Sequence, residues 1–235
     1  MILKMSKNII CIIPARKGSK RLKNKNIRKF FGHPLISYPI LLARKSFFFK
    51  DVFVSTDCQK IKKISERYGA KVPYVRSKRI SNDNATVNVV ISDFLKKVKL
   101  DYKIDVVVVM YPTSVFVTKK IIKKIINKID RKINFALTIK KFSHPIQRAL
   151  IIKNKNLQFV EKKMKNKRTQ DLYQTFYDAG QIYAYKYNSL IKNETFFKKN
   201  TDFIKLGYLD AIDIDNVQDF KDSINLYKFI KNNER

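Results

Sequence analysis

"IICIIPARKGSKRLKNKNI", residues 9–27, decides how the rest of the chain is read. Residues 9–13 are four isoleucines and a cysteine, closed by Pro14. An unbroken apolar run that short, stopped by a proline, predicts a strand covered on both faces. Arg16, Lys17, Lys20, Arg21, Lys23, Lys25 and Arg28 follow at once, with Gly18 and Ser19 among them. A buried strand that opens into such a loop puts cations at the end of a sheet, where open α/β sheets bind ligands. The loop is not a Walker A motif, because the G-x-x-x-x-G-K-[ST] spacing is missing, and Gly18 standing alone rules out G-x-G-x-x-G. What remains suits a polyphosphate. Gly18 lets backbone N–H groups approach, Ser19 donates a hydrogen bond, and Arg16, Lys20 and Lys25 neutralise charge.

Working outward, apolar runs recur at residues 52–54, 106–110, 135–139 and 182–185. Segments with helical spacing lie between them. Leu35, Ile36, Ile40, Leu41 and Ala43 share one helix face; Ile61, Ile64 and Tyr68 share another, stopped by Gly69. Val87, Val90, Ile91, Phe94 and Leu95 make a third, and Ile121, Ile122, Ile125, Ile126 and Ile129 a fourth. Strand alternating with helix predicts a mostly parallel sheet. The first three strands end in polar residues: the basic loop, then Ser55-Thr56-Asp57, then Tyr111-Pro112-Thr113-Ser114. In a parallel sheet these three ends lie along one edge. From about residue 140 the pattern loosens and aromatics multiply. One domain over residues 1–235 is expected, with about 140–182 as an insertion or interface arm.

Composition narrows the classes. The chain has 235 residues and 45% hydrophobic content, enough for a real core and against disorder. No apolar run approaches the length of a membrane span, and residues 9–13 lack the cleavage site of a signal peptide. Cys11 and Cys58 are too few for a disulfide framework or a zinc site, and read as packing residues in a reducing cytoplasm. The net charge of +32 invites nucleic acid. Against that, the lysines are spread along the chain in pairs such as Lys62-Lys63, Lys96-Lys97 and Lys123-Lys124. Solvated helix faces explain such pairs, so a nucleic-acid-binding protein is kept only as a rival reading.

Near the far end lies "LDAIDIDNVQDF", residues 209–220. On a strand, Asp213 and Asp215 would point the same way. Two neighbouring carboxylates repel unless a cation lies between them, and Mg²⁺ takes a few carboxylates together with phosphate oxygens. By sequence alone the pair is also compatible with two solvated acids at a strand end.

"IIPARKGSKRLKNKNI" resembles the opening signature of the CMP-sialate synthetase family of cytidylyltransferases, I-P-A-R-x-G-S-K-R-x-x-x-K-N. The likeness continues at Gly32-His33-Pro34-Leu35-Ile36, Val54-Ser55-Thr56-Asp57, Tyr68-Gly69-Ala70 and Asp83-Asn84-Ala85-Thr86. Three late segments are most similar to the pseudaminic acid subgroup: residues 145–150, 168–172 and 177–183. Thr169 replaces a usual Ser, Ser77 a usual Pro, and Ala184 a common Trp. The resemblance implies a Rossmann-like nucleotide-diphospho-sugar transferase fold with an inserted dimerisation arm, and a homodimer. It implies transfer of CMP from CTP to the anomeric hydroxyl of a nine-carbon acidic sugar, pseudaminic acid first, with release of pyrophosphate. A CMP-sialate or CMP-legionaminate synthetase is the near alternative. It implies that Ala15, Arg16, Gly18, Ser19, Lys20, Asn26, Arg76 and Ser81 hold the nucleotide, and that Arg16, Lys20 and Lys25 act on its phosphates. It also implies magnesium on Asp213 and Asp215. Gln147, Arg148, Asp178 and Gln181 are the candidates for the sugar, and His33 and His144 are expected to have no catalytic part.

Overall fold

The computed structural model describes residues 7–164, 166–192 and 199–233. The chain runs through β1 (Ile9–Pro14), the short strands β2 (Lys29–Phe30) and β3 (His33–Pro34), α1 (Ser37–Ser46), β4 (Asp51–Ser55) and α2 (Gln59–Arg67). It continues through α3 (Val87–Lys97), β5 (Val106–Met110), α4 (Lys119–Lys128), β6 (Phe135–Lys141) and the strands β7 (Leu150–Lys153) and β8 (Asn156–Phe159). It closes with β9 (Phe176–Lys186), α5 (Tyr187–Ile191), β10 (Thr201–Lys205) and α6 (Val217–Asn233). Six strands form the central sheet in the order β10-β6-β9-β5-β1-β4. β1 is parallel to β4 and β5, and β10 to β6. Only β9 runs against its neighbours β5 and β6.

The predicted two-sided burial of β1 is what the sheet uses. Ile9, Cys11 and Ile13 point to one face, against Ile36 and Ile40 at α1, Ile61 of α2 and the isoleucines of α4. Ile10 and Ile12 point to the other, against Ile91, Phe94 and Leu95 of α3 and Leu190 of α5. Each fully buried isoleucine contributes about 1.5–3 kcal/mol over its exposed state, so this alternation fixes the register of β1. Thr86 and Thr118 cap α3 and α4, their side chains accepting from the N–H of Val89 and Ile121. Gly69 ends α2 at φ +89°, where a Cβ would strike the Arg44 guanidinium. The departure at Ala184 lies in the core: it is fully buried in β9, paired with Val108 and Ala136.

A third, smaller cluster joins the two ends of the chain. Leu22 from the basic loop packs with Phe30, Leu35, Ile214 and Phe220. Ile214 sits between Asp213 and Asp215 and is fully buried. The acid pair therefore hangs on a buried isoleucine, and its segment is extended loop, not the strand expected from alternation. It lines the cavity beyond the ends of β1 and β5 together with Pro14 and Tyr111, instead of running beside a strand. Of the span expected as an insertion, residues 140–141 and 176–182 are strand in the central sheet, so the part outside it is 142–175.

Candidate active site

A cavity of about 530 Å³ opens beyond the carboxyl ends of β1 and β5. Arg16, Ser19, Lys20, Arg21, Lys25 and Asn26 line it from the loop after β1, and Tyr111, Pro112 and Thr113 from the end of β5. Arg76, Ser81, Asn82 and Asp83 supply a second wall, Asp213 and Asp215 a third. Lys20 and Asp215, from opposite ends of the chain, thus share one cavity.

The loop is built from its own main chain and from β4. The Ala15 N–H donates to Ser55 O at 2.9 Å, and the Lys17 N–H to Asp57 Oδ1 at 2.8 Å. Asn26, buried, donates from Nδ2 to Arg16 O at 2.8 Å and so folds the loop back on itself. Asn24 adopts a left-handed φ of 58° to make that turn, which asparagine tolerates better than most residues. Ala15 is buried and contributes through its backbone. A Cβ at Gly18 would meet nothing within 4 Å, so no neighbour in the fold demands a glycine there.

The cations come in two groups, each on one carboxylate. Arg16 Nη1 and Lys20 Nζ both lie 2.6 Å from Asp83. Arg21 Nη2 is 2.5 Å and Lys25 Nζ 2.9 Å from Asp215. Burial alone would raise the Asp215 carboxyl, but Lys25 and Arg21 outweigh it and hold it below the usual range. Asp213 has no such partners at hydrogen-bond distance among the described residues; burial, and then the charge of Asp215, push it up. Two carboxylates at the mouth of a cationic loop fit a divalent ion that takes its other ligands from phosphate and water. Among the described residues no cluster of three or more metal-binding side chains exists, so the protein alone would not cage such an ion.

Arg76 is buried on the second wall. Its Nε donates to Ser81 Oγ at 3.0 Å, and Ser81 Oγ donates to Ser77 O at 2.8 Å. Its buried Nη1 has no hydrogen-bond partner. A buried guanidinium N–H left unmet is costly unless a ligand completes it.

The cytidylyltransferase family matches residues 10–228. The chain belongs to that family. It is 35% identical over 223 residues to the pseudaminic acid cytidylyltransferase of Campylobacter jejuni subsp. jejuni serotype O:2, covering 93% of this chain and 96% of the relative. It is 32% identical over 216 residues to the CMP-N,N'-diacetyllegionaminic acid synthase of the same organism, covering 91% and 92%. The structure of a CMP:2-keto-3-deoxy-manno-octonic acid synthetase complexed with CTP superposes with a TM-score of 0.70 over 94% of this chain and 99% of that one, at 15% identity. At that identity the match speaks for the fold, and it agrees with the Rossmann-like sheet seen here.

In this cytidylyltransferase the four residues expected to hold a sugar are not brought together. Asp178 lines a smaller cavity of about 220 Å³ that meets the first at Tyr111 and Val87, and it accepts from Tyr183 Oη at 2.9 Å. Gln181 is buried beneath the site, donating from Nε2 to Ala179 O at 3.1 Å and Ile212 O at 3.3 Å. Gln147 and Arg148 belong to the arm. Gln147 Nε2 donates to Tyr173 O at 2.9 Å, and Arg148 Nη1 to Thr169 Oγ1 at 3.4 Å. His33 Nδ1 lies 3.1 Å from Tyr68 Oη and His144 Nδ1 lies 2.9 Å from Ser143 O; neither lines the cavity. Sequence reasoning missed Arg21 and Asp83 as lining residues, and it put Tyr111 at the ligand edge without giving it a role. Arg21 stood in the quoted cation run and Asp83 in the quoted Asp-Asn-Ala-Thr segment, but their pairings are visible only in three dimensions. Among the described residues no helix is long and apolar enough to cross a membrane.

Proposed function

We propose that this cytidylyltransferase transfers CMP from CTP to the anomeric hydroxyl of a nine-carbon α-keto sugar acid, pseudaminic acid in first place, and releases pyrophosphate. The observation that carries this reading is the meeting of Lys20, Lys25 and Arg16 with Asp213 and Asp215 around one cavity, in a chain this similar to a pseudaminic acid cytidylyltransferase. The nucleophile belongs to the sugar, so the protein's task is to align two anions and to spread the charge of the leaving group. Arg16 and Lys20 hold the β- and γ-phosphates, and Lys25 adds a cation near the α-phosphate. Ser19 and the backbone at Gly18, a glycine no neighbour requires, give N–H and O–H donors to the phosphates.

Arg76 and Ser81 lie on the base side, and the unmet Nη1 of Arg76 offers a donor to a cytosine or ribose oxygen. Asn26 keeps the loop closed around the tail. Asp213 and Asp215 would hold Mg²⁺, which supplies charge neutralisation at the phosphate and a lower pKa for the attacking hydroxyl when bound. Asp178, which lines the adjoining cavity, would take a sugar hydroxyl or amide.

The same reading makes the working protein a homodimer in the cytoplasm. Leu150, Ile151, Ile152 and Leu157 of the β7–β8 pair are exposed, as a chain awaiting a second copy would leave them. Gln147 and Arg148 lie beside that pair, and they reach a sugar only if the arm of a second copy completes the site. The legionaminic acid synthase likeness keeps a second acceptor open. Pyrophosphate release from CTP and Mg²⁺ is to be measured with pseudaminic, legionaminic and sialic acids in turn. The highest kcat/KM is expected with pseudaminic acid; a preference for another acid moves the assignment, and release with none of them defeats it.

A further inference from the structure

The cation pair assigned to the terminal phosphates already holds an anion of the protein's own. One carboxylate, Asp83, places Oδ1 at 2.6 Å from Arg16 Nη1 and Oδ2 at 2.6 Å from Lys20 Nζ. Two oxygens on two cations is the arrangement a terminal phosphate would make. Asp83 stands on a built turn: the Asn84 and Ala85 N–H groups each donate to Asn82 Oδ1 at 3.0 Å, which fixes the backbone around it. Hydrogen bonds from Lys20 and Arg16 hold its carboxyl below the usual range, so it is ionised whenever the enzyme works.

We propose that Asp83 is an internal competitor for the pyrophosphate end of the nucleotide site, occupying Arg16 and Lys20 before CTP arrives and retaking them as pyrophosphate leaves. The proposal rests on the CTP reading above. An incoming triphosphate exchanges with Asp83 at these two cations. Once the bond between the α- and β-phosphates has broken, the leaving pyrophosphate competes with the same carboxylate, which speeds its departure. The nucleoside end, read at Arg76 and Ser81, is not contested by Asp83. Asp83 thus weakens CTP and pyrophosphate together and leaves CMP alone. The other carboxylate that holds loop cations, Asp215, is on Arg21 and Lys25 instead, and the reading above gives it, with Asp213, to the metal.

The experiment measures inorganic pyrophosphate as a product inhibitor and CMP as a dead-end inhibitor against CTP, and pyrophosphate binding by calorimetry with Mg²⁺, in the wild type, Asp83→Asn and Asp83→Ala. In both variants the inhibition constant for pyrophosphate and the KM for CTP are expected to fall by about two- to tenfold, the scale of two exposed ion pairs. The inhibition constant for CMP stays where it was. Pyrophosphate bound no tighter, or more weakly, in both variants overturns the proposal. So does an equal change for CMP, which would mark a structural or general charge effect. A wild-type protein that neither turns over nor binds CTP instead sinks the CTP reading itself.

Discussion

The loop after β1 and the arm at 142–175 are both rich in lysine and arginine, yet the chain treats them in opposite ways. In the loop, four cations meet carboxylates from distant parts of the same chain, and Leu22 is buried among aromatics. In the arm, Leu150, Ile152 and Leu157 stand in water, Ile152 at 78% exposure. The loop is completed by its own chain and needs only a ligand. The arm exposes side chains that a monomer gains nothing by exposing, and Gln147 Oε1 is buried there without a partner. On the proposed function, the first region serves the chemistry and the second the contact with another copy.

The comparison breaks if substitutions in the two regions have similar effects. Asp215→Asn is expected to lower kcat by on the order of 10³-fold, as loss of one charge-stabilising group does elsewhere. Circular dichroism should show the fold intact. A variant with wild-type turnover would remove Asp215 from the chemistry. Next in size, Ile12→Ala in β1 should cost about 2–5 kcal/mol in urea unfolding, because a fully buried side chain leaves a cavity. Ile152→Ala in β7 should stay within about 0.5 kcal/mol under conditions where the protein is monomeric. Equal losses at the two positions would mean that the arm packs on its own chain. Smallest, Lys20→Ala should raise the KM for CTP about tenfold, the worth of one charge-assisted hydrogen bond. Lys153→Ala on the arm should leave it unchanged; parity between the two would erase the distinction.

How much of this was legible before the fold was known differs by element. β5 was readable to the residue, since a run of four β-branched valines this short favours a strand covered on both sides. β9 was readable only at 182–185. Its first half carries Asp178, Gly180 and Gln181, and its pairing with β6 shifts register between Leu137 and Ile139, so no period of two survives there. The basic loop after β1 announced itself by cation density, and Asp213 and Asp215 by standing together in a chain poor in acids. Their backbone did not: alternation suggested a strand, whereas Ile214 is held by Leu22, Phe30, Leu35 and Phe220. Such packing between the two ends of the chain leaves no periodic trace. The ion pairs of Asp83 escaped for the same reason, because Arg16 and Lys20 reach it only once β1 and the loop before α3 are side by side.

The central claim is that one nucleotide bridges the cations after β1 and the acids before α6. A crystal structure of the protein with Mg²⁺ and a non-hydrolysable CTP analogue tests it most directly. The account predicts density for the triphosphate between Lys20 and Asp215, with the base against Arg76 and Ser81. Nucleotide density in the second cavity, of about 480 Å³ beside Lys140 and Tyr208 on the other side of Asp213, with the loop still closed on Asp83 and Asp215, would contradict it.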